Sequence, residues 1–180
     1  VIEISSLEVI DFSGVKITSI PFLGEHGDFN ISSKSAYCIQ AEGRSVLCVA
    51  DSNNLNESMY NKVHAVVGDV DTLFISMECE GAPFSWLYGA LLAEKPSRVV
   101  DHSRALRASD CEKAWKIVKT FHCKQVCVYA MGMEPWFSYI MRVDYQEDSA
   151  QTQEIGRLRA LCEKDSIKFE KLYGCCTLEI

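Results

Sequence analysis

"SAYCIQAEGRSVLCVADS", residues 35 to 52, decides how this chain is read. Two short runs rich in β-branched and aromatic residues, 35–41 and 45–51, flank "EGR" at 42–44, where Gly43 suits a tight turn. The segment is therefore expected to be a β-hairpin. Its second strand stays apolar until it stops on Asp51. A carboxylate following "VLCVA" is costly to desolvate unless a cation or a hydrogen-bonded turn receives it. "DSNN" also fits an ordinary Asx turn leading into a helix, and residue type alone leaves both readings open.

Before the hairpin, "VKITSIPF" (15–22) has the composition of a strand, and "GEHGDF" (24–29) follows it with Glu25, His26 and Asp28. After it, "LNESMYNKVHAVV" places apolar residues at Leu55, Met59, Val63 and Val66 or Val67, the spacing of one helical face, with Asn54 as its expected cap. "VDTLFISME" (70–78) is a nearly continuous apolar run of strand length, the pattern of a strand covered on both faces. "PFSWLYGALLAE" reads as a buried helix, and "RVVDHS" as a short strand or loop ending in Asp101 and His102. In "ASDCEKAWKIVKTF", Ser109 and Glu112 form a capping box before a helix whose apolar face includes Ala114, Trp115, Ile117, Val118 and Phe121. "KQVCVYAMG" is a further strand, followed by a polar helix over about 149–164 and a last strand, "IKFEKLYG". Strands first, then strand and helix in alternation, predict an α/β layered fold with a mixed sheet.

Length and composition bound the function. The chain has 180 residues, 48% of them hydrophobic, enough for one sizeable core, so a single domain over 1–180 is expected. Net charge is −7, with 18 basic residues scattered among 25 acidic ones. No basic stripe is present to neutralise phosphates, so nucleic acid is not an expected partner. No apolar run approaches the roughly 20 residues of a membrane span, and no signal peptide is evident. A soluble, cytoplasmic protein is expected. Nine cysteines, an odd number beside a good core, do not form a disulfide framework. Cys38, Cys48 and Cys127 fall inside apolar strands, where Cys packs as a small hydrophobe. Cys123 and Cys127 approach metal-finger spacing, but no second pair completes a zinc site.

Functional groups in layered folds collect on loops at one sheet edge. Four expected strand ends carry ionisable groups: Glu25, His26 and Asp28; Asp51; Glu78 and Glu80; Asp101 and His102. Residues this far apart in sequence can share a metal only if their strand ends share that edge.

"IPFLGEHGDFNISSKSAYCIQAEGRSVLCVADS" resembles the middle of a metallo-β-lactamase-fold protein, in which a strand delivers a "GH" ligand and a hairpin ends in an Asp that bridges two metals. Residues 24 to about 134 follow that family's order, including the "VDTLFISME" strand and "HS" before a helix. The resemblance implies the C-terminal part of an αββα sandwich, with the missing N-terminal half and its "HxHxDH" loop expected upstream of residue 1. It makes Asp51 the bridging carboxylate and puts Glu25, with His26 behind it, where the family has His. A Glu there is similar to the diiron β-hydroxylases that act on carrier-bound amino acids in peptide antibiotic assembly. Carboxylate oxygens are harder donors than imidazole and suit iron better than zinc. His102 resembles a His that assists catalysis in the ribonuclease Z relatives without binding metal. The family's last His has no counterpart after 129–131, and Glu134 is a remote substitute.

The resemblance thus implies two divalent metal ions, zinc in a hydrolase acting on a small-molecule substrate or iron in an oxygenase acting on a carrier-bound one. A hydrolase-like parent is the primary expectation. A diiron oxygenase, or a partner-binding domain that has lost its metals, are the alternatives. Elsewhere, His64 and His122 read as surface residues, the latter favouring a helix C-terminus. Glu78 and Glu80 fit either support behind the ligands or solvated loops. Lys34 is a lone candidate for an anionic substrate.

Overall fold

The computed structural model describes the chain apart from residue 1 and residues 22–34, 53–55, 80–82, 84, 86–88, 104–107, 135, 137, 140–143, 176 and 179–180. Seven strands form one mixed sheet in sequence order: β1 (Val9–Phe12), β2 (Val15–Pro21), β3 (Ser35–Ala41), β4 (Arg44–Cys48), β5 (Thr72–Ser76), β6 (Gln125–Tyr129) and β7 (Lys168–Lys171). The first four pair antiparallel. From β4 onward the pairing is parallel, with Val46 opposite Thr72, Thr72 opposite Gln125, and Gln125 opposite Lys168.

Turn chemistry sets the antiparallel half. The expected hairpin forms, with Ala41 paired to Arg44 across Glu42 and Gly43. Both turn residues have positive φ, 50° and 74°, the turn whose twist matches that of the flanking strands. The same geometry recurs at Ser13 and Gly14, with φ of 53° and 89°, and creates β1, a strand the sequence reading did not anticipate. Its exposed, mixed residues give no apolar run to recognise.

The parallel half carries the helices α1 (Glu57–Val67), α2 (Arg98–Ser103), α3 (Cys111–Thr120) and α4 (Ala150–Lys164). Because the strand order advances steadily in one direction, right-handed crossovers place the connecting helices on the same side of the sheet. Burial agrees. Leu47, Val49, Leu73, Ile75, Val126 and Val128, alternating along β4 to β6, are all fully buried together with Val63, Ile117, Phe121 and Leu158 from α1, α3 and α4. Each such Leu or Ile contributes about 1.5–3 kcal/mol relative to exposure. Tyr60 of α1 meets Phe121 edge to face, with centroids 5.9 Å apart.

Those three helices, α1, α3 and α4, leave the opposite face of the sheet to other parts of the chain. Alternation directs Tyr37, Cys48, Phe74 and Tyr129 there, and among the described residues they are only partly covered or exposed. Phe12 and Tyr37 are 68% and 39% exposed.

Four details differ from the sequence reading. "RVVDHS" is helical, as α2, and not a strand or loop. The cap of α3 is Asp110, whose side chain accepts from Lys113 N at 2.9 Å, because Ser109 is turned inward to donate to Ser52 O at 2.6 Å. The cap of α1 is Asn56, accepting from Met59 N at 3.2 Å, two residues beyond the expected Asn54. Of "PFSWLYGALLAE" (83–94), expected as a buried helix, residues 84 and 86–88 lie outside the described residues, and 89–94 are not a buried helix but an exposed 3-10 turn at Gly89–Leu91 followed by irregular chain.

Candidate functional site

The parallel strands β4, β5 and β6 end on the same edge, and each ends irregularly. The ladder continues past β4, with Val49 N donating to Phe74 O and Ser76 N to Ala50 O, each at 3.0 Å. Ala50 then adopts φ of 42°, and Ala130, at the end of β6, adopts 45°. Non-glycine residues rarely take these values, and such strain concentrates at functional sites. Both kinks turn the chain out of the sheet where acidic side chains follow: Asp51 after β4, Glu78 after β5 and Glu134 after β6.

Hydrogen bonds lock these loops together. Ala108 N donates to Glu78 O at 2.8 Å, and the neighbouring Ser109 hydroxyl bonds Ser52 O, so one segment ties the Asp51 and Glu78 loops. Gln151, fully buried in the first turn of α4, donates from Nε2 to Met77 O and to Met131 O, the latter at 2.8 Å. Its Oε1 accepts from Cys79 N at 2.8 Å. A single side chain thus joins the ends of β5 and β6 and leaves none of its own polar atoms unpaired.

Glu78 is the most perturbed carboxyl of the edge. Burial pushes it up to about 7, the charges of Glu134 and Asp51 add to the rise, and a hydrogen bond from Tyr145 opposes it. Burial, with the charge of Asp51 beside it, also lifts the Tyr129 phenol to about 12. The edge therefore concentrates negative charge in a partly desolvated place. Beside it, on the face that carries Phe74 and Tyr129, an open groove of about 650 Å³ is lined by Cys48, Phe74, Tyr129, Glu134, Trp136 and Leu172, among others.

Of the sequence candidates, Asp51 stands at this edge. Glu25, His26, Asp28, Lys34 and Glu80 lie outside the described residues. His102 lies within α2, and the structure describes only its backbone. Asp101 is engaged with Ser85, accepting from its amide at 2.7 Å and its hydroxyl at 2.6 Å. Burial raises the Cys38 thiol to about 11 and the Cys123 thiol to about 12, as expected of packing residues.

Two features went unread in the sequence. Tyr145, 67 positions from Glu78, gives no local signal of its partner. His64 and His122, read as separate surface residues, converge on Asp69. That trio lies just before β5 and β6 begin, at the edge opposite Asp51, so it is not part of the carboxylate edge.

The architecture is that of the metallo-β-lactamase-fold superfamily, to which the chain belongs. Within it, the chain is homologous to a diiron β-hydroxylase. It is 46% identical over 147 residues to the 4-amino-L-phenylalanyl-[CmlP-peptidyl-carrier-protein] 3-hydroxylase of Streptomyces venezuelae, spanning 82% of this chain and 28% of that protein. The crystal structure of CmlA, a diiron β-hydroxylase from the same organism, superposes with a TM-score of 0.86 at 41% identity, covering 96% of this chain and 33% of that one. Zinc-bound PqqB from Methylobacterium extorquens shares the fold alone, with a TM-score of 0.50 at 13% identity, over 98% of this chain and 55% of that one. No family model matches the chain. The chain spans a third or less of the hydroxylase relatives' length.

Proposed function

We propose that this chain is the C-terminal part of the catalytic domain of a diiron β-hydroxylase, acting on an aminoacyl group held on a carrier protein. The observation that carries this reading is the 46% identity to a hydroxylase of that kind, against 13% to the zinc-bound PqqB. It displaces the hydrolase expectation in favour of the oxygenase alternative.

The donor chemistry fits iron. Asp51 and Glu25 would hold the metals, with His26 close behind, while the missing N-terminal half supplies further ligands through its "HxHxDH" loop. Carboxylate-rich sets favour hard cations, and Glu78, raised to about 7 by burial and by its acidic neighbours, marks negative charge that a cation would relieve. When bound, a pair of irons supplies the redox chemistry for inserting an oxygen atom into a C–H bond.

The chain's own residues prepare the site. Gln151 and Ser109 hold the loops that carry Glu78 and Asp51. Tyr145 donates to Glu78 and limits the rise in its pKa. The groove bounded by Phe74, Tyr129 and Trp136 offers apolar walls to hold an aminoacyl group and exclude water, as binding clefts do. The sheet face that carries Tyr37, Phe74 and Tyr129 is the surface on which an N-terminal half would complete the sandwich. His102 has a place only in the hydrolase version.

The test is metal analysis and assay of the full-length protein. Two irons per chain, near-ultraviolet absorption and dioxygen-dependent hydroxylation of an aminoacyl-carrier substrate are expected. Stoichiometric zinc with ester or phosphodiester cleavage would overturn the reading.

A further inference from the structure

We propose that His64, Asp69 and His122 form a second metal site, for a borderline divalent transition cation such as Zn²⁺, at the sheet edge opposite Asp51. This inference is independent of the hydroxylase reading.

The three side chains come from three places in the fold: the last turn of α1, the connection from α1 to β5, and the turn from α3 to β6. Each backbone is held. Gly68 N donates to His64 O at 2.8 Å and ends α1, and its φ of 78° turns the chain toward Asp69. Val70 N bonds Phe121 O at 2.9 Å and so joins the two connections, while His122 itself takes φ of 49°. The rings are packed as well as placed. His64 lies edge-on to Phe121, with centroids 5.9 Å apart, and edge-on to His122 at 5.2 Å.

His64 Nε2 lies 2.8 Å and His122 Nδ1 2.7 Å from the same oxygen, Asp69 Oδ1. The three donor atoms all fall within 4.8 Å of one another, the sole such trio among the described residues. Donors about 2.0–2.1 Å from a tetrahedral ion stand roughly 3.3 Å apart, so a small movement of Asp69 admits the cation. Two imidazoles and one carboxylate favour Zn²⁺, Ni²⁺ or Cu²⁺ over Mg²⁺ or Ca²⁺. The side chains of Asp69 and His122 are 65% and 61% exposed, which leaves the remaining coordination positions open to water. Lys124, the nearby cation, is paired with Asp71 at 2.7 Å and does not compete for Asp69.

Without a cation, the two ring nitrogens share the Asp69 oxygen through hydrogen bonds. Binding uses the lone pairs of those same nitrogens. Each neutral ring then carries its proton on the other nitrogen, His64 Nδ1 and His122 Nε2, and an imidazolium releases one proton to solvent. The bound ion would clasp α1, α3 and the start of β5.

The experiment uses the full-length protein with its iron content measured throughout. Wild type and the surface variants His122→Asn and Asp69→Asn are titrated with Zn²⁺ by calorimetry, and the ring-proton resonances of the histidines are followed. Wild type is expected to bind one zinc more than either variant, or each variant to lose at least about tenfold in affinity. Iron content and zinc-free thermal unfolding should not change. The His64 and His122 resonances should move together on zinc addition. Equal zinc affinity in wild type and variants, zinc uptake only at the expense of iron, or unmoved His64 and His122 resonances would each overturn the proposal.

Discussion

Tyr145 donates its phenol proton to Glu78 Oε1 at 3.3 Å, and the two meet directly over Gly132. That contact joins the end of β5 to the loop beyond β6 and leaves no room for a side chain between them. It also opposes the burial that raises Glu78. Tyr145→Phe should therefore raise the Glu78 pKa further, measured by carbon-detected titration of its carboxyl. An unchanged or lowered value would contradict the role assigned to the phenol.

Gly132 should tolerate no substitution. A Cβ at this position would lie 2.7 Å from Tyr145 Cε2 and 2.9 Å from Glu78 Oε1, and its φ is 74°. Both sterics and backbone conformation oppose Ala. Gly132→Ala is expected to cost about 1–3 kcal/mol in denaturant unfolding and to displace Tyr145. An equally stable variant would show that the loop relaxes freely.

Glu78 makes the metal-free protein less stable as pH rises. Its folded pKa of about 7 lies above the ordinary value of 4.5, so the folded state keeps a proton that the unfolded chain releases. The protonated carboxyl's contribution is complete below about pH 4.5 and is lost as pH climbs toward 7, a change of roughly 3 kcal/mol at most. Glu78→Gln should flatten this part of the stability profile, recorded after chelation. A parallel profile for variant and wild type would place the titration elsewhere.

Gln151→Ala removes a buried side chain that satisfies the carbonyls of Met77 and Met131 and the amide of Cys79. Stranding these groups should cost about 2–4 kcal/mol. Hydrogen exchange should rise selectively at residues 77–79 and 131–132. Uniform acceleration across the sheet would mean that the residue supports the global fold and not the two loops.

If Asp51 holds metal as proposed, Asp51→Asn in the full-length protein should lower metal content and activity together, by a factor of about a hundred or more in rate, since an amide is a weaker, uncharged donor than a carboxylate. Retention of full metal content would remove Asp51 from the ligand set.

Local chemistry decided much of this protein on its own. Residues 35–52 form the hairpin they spell because Gly43 supplies positive φ between two β-rich runs, and Asp51 stands at a strand end because the apolar run stops there. The helices at 57–67 and 111–120 follow from apolar spacing, since a 3.6-residue period determines which side chains can face a sheet. Capping was legible only to within one or two residues, because Ser, Asp and Asn compete for the same amides and Ser109 was claimed by Ser52. "RVVDHS" was misread because six residues are too few to separate periods of 2 and 3.6. Tertiary structure alone decided which charges meet. Parallel pairing of β4 to β6 brings Asp51, Glu78 and Glu134 to one edge and carries His64, Asp69 and His122 to the other. Those encounters join residues tens of positions apart, and only the register of the sheet determines them.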